Sequence, residues 1–291
     1  KNYYKSIEFF EKAAKLNNPD AMFNLGTFYL NGFGFNKNYY KAKEFFELAA
    51  MQNHSEAINQ LGNLYYSGQG IQQDYTKAIK LYERAAALNN KFSMVNLGNS
   101  YFNGKGVLQN NEKALKYYEK AAELDEPSAL LILGNMYSLG QNVSIDNKKA
   151  IEYYKKAANL NNAFAMYNLG INYLNGVIKN NAKAIEYLEK AANLNHIESI
   201  LQLGTIYMNG QIVQQSFSKA IEYFEKAASF NNPVALNNLG LVYFNEHSSQ
   251  KNYSLAIEYF ERAAKQNHSE SIFYLGLSYF LGKGVEQNNQ N

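Results

Sequence analysis

The chain has 291 residues, 25 of them Tyr and 18 Phe, so apolar surface for burial is plentiful. Its 28 basic and 25 acidic side chains leave a net charge of +3, too balanced for a protein built around nucleic acid or an anionic membrane. With no Cys, disulfide frameworks, thiolate metal sites and cysteine nucleophiles are excluded, and a reducing, cytoplasmic setting is the better fit.

No run is long and apolar enough to span a membrane, and no signal-peptide pattern opens the chain. The first residue is Lys1 and the last motif, Gly282-Lys283-Gly284-Val285, has the form of a loop leading to another helix. Solenoid ends carry polar caps, and neither end here has one, so the native chain is expected to continue in both directions.

The first predicted helix, near 3–16, ends in an Ala13–Ala14 pair, and from there two helix types alternate. A helices are expected near 20–31, 56–67, 92–103, 128–139, 164–175, 198–209, 234–245 and 270–281. B helices are expected near 3–16, 39–52, 75–88, 111–124, 147–160, 181–194, 217–230 and 253–266. The Ala doublets at Ala13, Ala49, Ala85, Ala121, Ala157, Ala191, Ala227 and Ala263 set the period, 36 residues with a single step of 34. In the same register run Gly26, Gly62, Gly98, Gly134, Gly170, Gly204, Gly240 and Gly276, each followed three residues later by Tyr. A period of this length with two helical patterns per unit predicts an all-α, right-handed superhelix of about eight helix-turn-helix repeats, one solenoid domain over 1–291.

The helix types follow from side-chain spacing. Ala21, Met22, Leu25, Phe28 and Tyr29 form the buried stripe of an A helix, and Ala42, Phe45, Phe46, Ala49 and Ala50 that of a B helix. Pairs such as Glu152 with Lys156 mark the solvated face of B. Each B helix is followed by Asn or Asp (Asn17, Asn53, Asn89, Asp125 and onward), residues that tolerate a left-handed cap. Two residues later Pro19, Pro127 and Pro233 fall on the first turn of helix A, where a missing N–H does no harm. A glycine inside every A helix costs about 1 kcal/mol against Ala. The compensation expected is close approach of A and B, with each Gly facing the Ala doublet and the Tyr rings filling the space between adjacent units.

The repeat resembles the Sel-one-like repeat (SLR) family, a relative of tetratricopeptide repeats. The unit with Ala57, Leu61, Gly62, Tyr65, Gly68, Gly70, Ile71, Asp74, Lys77, Ala78, Tyr82, Ala85 and Ala86 follows the family pattern closely. Departures are Phe, Tyr or Leu for the family Trp (Phe45, Tyr117, Leu81), loss of the second loop Gly at Asn142, Ile212 and Glu246, and a loop two residues short around Val177. The resemblance implies a non-catalytic adaptor that binds protein or peptide partners and needs no small-molecule cofactor.

By analogy with tetratricopeptide repeats, helix A lines a concave face. Candidate ligand-binding residues are Phe23, Leu30, Asn63, Tyr66, Asn99, Phe102, Asn135, Tyr167, Leu174, Met208 and Phe244, within a wider set that includes Asn59 and Asn237. Aromatic and aliphatic anchors beside a row of Asn suit a peptide, with amides for its backbone. The opposite expectation is burial of these side chains between neighbouring A helices. No Lys or Arg falls within the A ranges, and Asp20, Glu56, Glu198 and Glu270 make the face acidic, which argues against nucleic acid and for apolar or mildly basic segments.

His54, His196 and His268 share one position before helix A but belong to different units, too far apart to ligate one metal, so capping is expected of them. The runs His54-Ser55-Glu56 and His268-Ser269-Glu270 cannot adopt the geometry of a triad. No loop glycine precedes the Lys-Ser/Thr of a phosphate loop. Two alternatives to a scaffold are the regulatory or substrate-recruiting arm of a larger enzyme such as a protein kinase, and a glycan binder.

Overall fold

The computed structural model describes residues 2–34, 36–176 and 179–284; Val177 and Val285, on which two loop expectations fell, lie outside them. Among the described residues there are sixteen α-helices and no strand. By its internal contacts the chain divides into two compact units, residues 1–160 and 161–291. The first holds α1 (Tyr3–Lys15), α2 (Pro19–Asn31), α3 (Tyr39–Met51), α4 (Ser55–Ser67), α5 (Tyr75–Ala87), α6 (Lys91–Asn103), α7 (Asn111–Glu123), α8 (Pro127–Leu139) and α9 (Asn147–Asn159). The second holds α10 (Ala163–Asn175), α11 (Asn181–Asn193), α12 (Ile197–Asn209), α13 (Phe217–Ala228), α14 (Pro233–Phe244), α15 (Tyr253–Ala264) and α16 (Ser269–Leu281). Even-numbered helices are the A type and odd-numbered ones the B type, as the all-α repeat reading requires.

Short polar side chains start the helices. Asn18 Oδ1 accepts from the Ala21 N–H at 2.9 Å and Asp74 Oδ1 from the Lys77 N–H at 2.9 Å, each satisfying a first-turn donor. Pro19, Pro127 and Pro233 are the first residues of α2, α8 and α14. After the B helices the chain turns through Asn17, Asn53, Asn89, Asp125, Asn161, Asn195, Asn231 and Asn267, all with φ between 52° and 67°. Asn142 stands where Gly34, Gly70 and Gly106 stand in earlier loops and keeps their left-handed backbone, φ 60°. Loss of the second loop Gly there leaves the turn intact, because Asn tolerates that conformation.

The packing corrects one expectation and adds to another. A Cβ on Gly26, Gly62, Gly98 or Gly134 would lie 2.5–2.6 Å from the ring of Phe46, Tyr82, Tyr118 or Tyr154, and one on Gly170 would lie 2.7 Å from Leu188. The glycine therefore admits a large side chain of the following B helix, one turn before the Ala doublet, and small does not face small. Burying such a ring contributes on the order of 3 kcal/mol, which outweighs the helix-propensity cost of the glycine. The doublet instead serves the junction between repeats: in the first unit Ala50 clusters with Ile58 of the next A helix and Ala85 of the next B helix. The Tyr three residues after the Gly also finds a ring partner inside the repeat in six of the eight copies. It stacks within its own repeat, Tyr29 on Phe45, Tyr101 on Tyr117 and Tyr137 on Tyr153 at 5.7–5.8 Å, and Tyr173 on Tyr187, Tyr207 on Tyr223 and Tyr243 on Tyr259 at 5.8–5.9 Å.

Candidate functional site

The A helices carry the open cavities. In the first unit one of about 320 Å³ is lined by Leu30 of α2, by Gln60, Asn63, Tyr66 and Ser67 of α4, by Asn96 and Asn99 of α6, and by the Tyr82 ring. A second, of about 400 Å³, is lined by Phe23, Glu56, Asn59, Gln60, Asn63, Phe92, Val95, Asn96, Glu126 and Ser128. The two share Gln60, Asn63 and Asn96, so they form one groove over α2, α4, α6 and the start of α8. The second unit has a smaller cavity of about 150 Å³ whose lining includes Leu174, Gln202, Thr205 and Ile212.

Each of the eleven candidate residues is half-buried, between the two states the sequence allows. The groove gathers Phe23, Leu30, Asn63, Tyr66 and Asn99. Phe102 packs partly against the core of the first unit, and Asn135 is held by Tyr154. In the second unit Leu174 lines the small cavity, Tyr167 lies 5.1 Å from the His196 ring, Met208 rests on the cluster around Phe224, and Phe244 meets Tyr253, Phe260 and Tyr274 edge-on. Asn59 and Asn237, from the wider set, are buried, and their oxygens accept from the Ser93 and Ser271 hydroxyls at 2.8 Å.

The Asn row is less available than its sequence suggests. Tyr82 donates its hydroxyl proton to Asn63 Oδ1 at 2.9 Å, Tyr118 to Asn99 Oδ1 at 2.9 Å and Tyr154 to Asn135 Oδ1 at 2.8 Å. These are the rings that the glycines admit, so one tyrosine fills the gap over the Gly and fixes the amide of the next residue. Burial pushes the Tyr82 hydroxyl well up and that of Tyr118 to about 12, so both stay protonated and act as donors at neutral pH. Asn96 Nδ2 bridges to Asn59 Oδ1 at 3.0 Å and Asn63 Oδ1 at 3.1 Å, and Asn63 Nδ2 donates to Gln60 Oε1 at 3.0 Å. The groove floor is thus a connected set of amides whose orientations fix one another.

The few charges of the A helices lie at their N-terminal ends. Asp20 and Glu56 are exposed, whereas the buried Glu126 caps α8 and lies 3.3 Å from Lys91 Nζ. Lys91 is the first residue of α6, which corrects the expectation of A helices free of cations; its charge is taken up by Glu126. The histidines cap. Nδ1 of His54, His196 and His268 accepts from the backbone N–H of Ala57, Ser199 and Ser271 at 3.2–3.3 Å. His54 also stacks on Phe23 and bonds Asp20 Oδ1 through Nε2 at 3.1 Å. His196 is buried against Phe164 and Tyr167, and desolvation lowers its pKa against the opposing pull of Glu198.

The signal not read from the sequence is a pairing at a separation of nineteen residues. Where the B-helix ring is Tyr (82, 118, 154), the residue after the Gly is Asn (63, 99, 135). Where it is Phe46, Leu188, Phe224 or Phe260, that residue is Thr27, Ile171, Thr205 or Leu241. A hydroxyl buried on its ring needs an acceptor, and a bare ring does not.

Against known proteins, the Sel1 repeat model matches residues 1–18, 19–54, 55–90, 91–126, 127–162, 163–196, 197–229, 233–268 and 269–291. The chain belongs to the Sel1 repeat family. A solved structure of a protective antigen from uropathogenic Escherichia coli with an SLR fold is 30% identical, with a TM-score of 0.74, over 96% of this chain and 60% of that one. The chain therefore spans about 60% of that antigen's length. A Sel1 repeat protein from Oxalobacter formigenes is 29% identical, with a TM-score of 0.71, over 77% of this chain and 92% of that one. No curated protein matches the chain. Sel1 repeats generally mediate protein–protein interaction, and a Sel1 scaffold is typically non-catalytic. Among the described residues no helix of this Sel1 chain is long and apolar enough to cross a membrane.

Proposed function

We propose that this Sel1 repeat chain is a non-catalytic scaffold that holds peptide segments or domains of other proteins on its A-helix face. The observation that carries the reading is the solvent-open groove of the first unit, floored by amides and walled by Phe23, Leu30, Tyr66, Phe92 and Val95. Rigid half-buried rings supply contact area at small entropic cost, and fixed amides supply direction. Phe102 and Asn135 extend that surface, and Tyr167, Leu174, Met208 and Phe244 are its counterparts in the second unit.

The test is affinity capture with the intact chain beside a Phe102→Ala, Tyr66→Ala double variant whose helical circular dichroism is unchanged. A partner recovered by the intact chain and lost from the variant supports the groove. Equal recovery by both removes it.

A further inference from the structure

The groove of the first unit has a hydrogen-bonding pattern that selects among partners. Oδ1 of Asn63 and of Asn99 is engaged by a tyrosine hydroxyl, so the amide plane is fixed before any ligand arrives. Among the described residues none takes up Gln60 Nε2, Asn96 Oδ1 or Asn99 Nδ2, and all three side chains line the groove. Donors and an acceptor on one floor match the free C=O and N–H groups of an extended main chain. A helical segment has those groups paired within itself and would leave the amides unused.

The rim adds a charge preference. Glu56 lines the groove with its side chain 54% exposed, and Asp20 lies exposed one repeat earlier. Lys91, the cation of α6, is held by Glu126, which leaves the rim net negative. An acidic segment or a nucleic acid meets repulsion here, and a Lys or Arg side chain meets attraction.

We infer that the first-unit groove takes an extended peptide segment, read along its main chain by Gln60, Asn96 and Asn99, with a basic side chain of the segment at Glu56 and Asp20. Tyr118 acts as a positioning residue for Asn99. This inference rests on the scaffold reading above and narrows it to one chemistry of partner.

The test starts from phage-displayed random linear peptides of about twelve residues, roughly 40 Å when extended, selected on the full chain. Selected peptides are expected to combine apolar residues with Lys or Arg and to be poor in Asp and Glu. Fluorescence anisotropy with one such peptide then compares the intact chain, Glu56→Gln and Tyr118→Phe. Phe at that site keeps the packing, since Phe46, Phe224 and Phe260 fill the equivalent place in other repeats. Tyr118→Phe is expected to weaken binding about fivefold, the worth of one hydrogen bond. Glu56→Gln should weaken it about two- to fivefold and flatten its salt dependence.

Replacing successive backbone amides of the peptide with esters identifies the bond read by Asn99. That ester should weaken binding to the intact chain but add nothing in Tyr118→Phe, whereas a merely structural tyrosine gives additive losses. Additive losses, peptides without basic residues, or helical dichroism induced on binding would each overturn the inference and leave the scaffold reading standing. Selected peptides that bind the Phe102→Ala, Tyr66→Ala variant as tightly as the intact chain would overturn both.

Discussion

Two regions of one repeat protein solve the same packing problem with different chemistry. In the first unit three of the rings seated over glycine are tyrosines, each tied to an asparagine of its A helix, and two of those, Asn63 and Asn99, line the groove. In the second unit the equivalent places hold Leu188, Phe224 and Phe260, facing Ile171, Thr205 and Leu241. Thr205 satisfies its own hydroxyl on the Leu201 carbonyl at 3.0 Å and takes nothing from the Phe224 ring. The backbone solution is the same in both. What differs is whether the buried ring carries a proton that must be received, and that one atom goes with whether the residue after the glycine is an amide.

Measurements can break or sharpen this contrast. The largest effect is expected from Gly98→Ala in the first unit and Gly204→Ala in the second. Both methyls would meet a rigid ring, and each change should lower thermal stability by about 1–3 kcal/mol despite the gain in helix propensity. Gly276→Ala meets nothing within 4 Å and should stabilise by about 0.5–1 kcal/mol. Equal costs at all three sites would show that the ring contact is not what requires glycine.

Exchanging the polar and apolar solutions comes next. Tyr118→Phe alone should cost about 0.5–1.5 kcal/mol by denaturant melting, because Asn99 loses its donor. Phe224→Tyr alone should be destabilising as well, and adding Thr205→Asn should recover about 1 kcal/mol. Lack of recovery would mean that the pairing at nineteen residues has another origin.

Acidification should separate the units more gently. His196 of the second unit is buried with a lowered pKa, so the unfolded chain takes the proton first. Its stabilising contribution is complete above the unfolded value of about 6.5 and is lost as pH falls through the lowered folded value. His196→Asn, with the cap that Asn162 and Asn232 use in the same unit, should flatten that dependence in a pH series of melts. The smallest effect belongs to Lys149, whose ammonium sits 4.1 Å from the centre of the Tyr137 ring; Lys149→Met should cost no more than about 0.5 kcal/mol.

The repeat was legible because its signals are local. Left-handed Asn and Asp, first-turn Pro and the Gly register each act over a few residues, and they recur often enough to fix the helix pairs. The partners of those residues were not legible. Gly98 and Ala121 looked matched because both are small, yet the residue against Gly98 is Tyr118, one turn earlier and large. Size matching by similarity fails wherever a knob meets a hole. The candidate site was legible in which helices carry it and not in what its amides are free to do. That depends on a hydroxyl from another helix, and a side chain such as Asn63 gives no local sign of whether its oxygen is spent.

Each tyrosine and the asparagine it holds lie within one 36-residue period, whereas the alanine doublet is what meets the next period. Duplicating or deleting one whole period would therefore carry each tyrosine–asparagine pair intact, while the bridges from Asn96 to Asn59 and Asn63 span the joint and would depend on which repeats become neighbours. The pair is thus inherited with its repeat, whereas the continuity of the amide floor is a property of the seam.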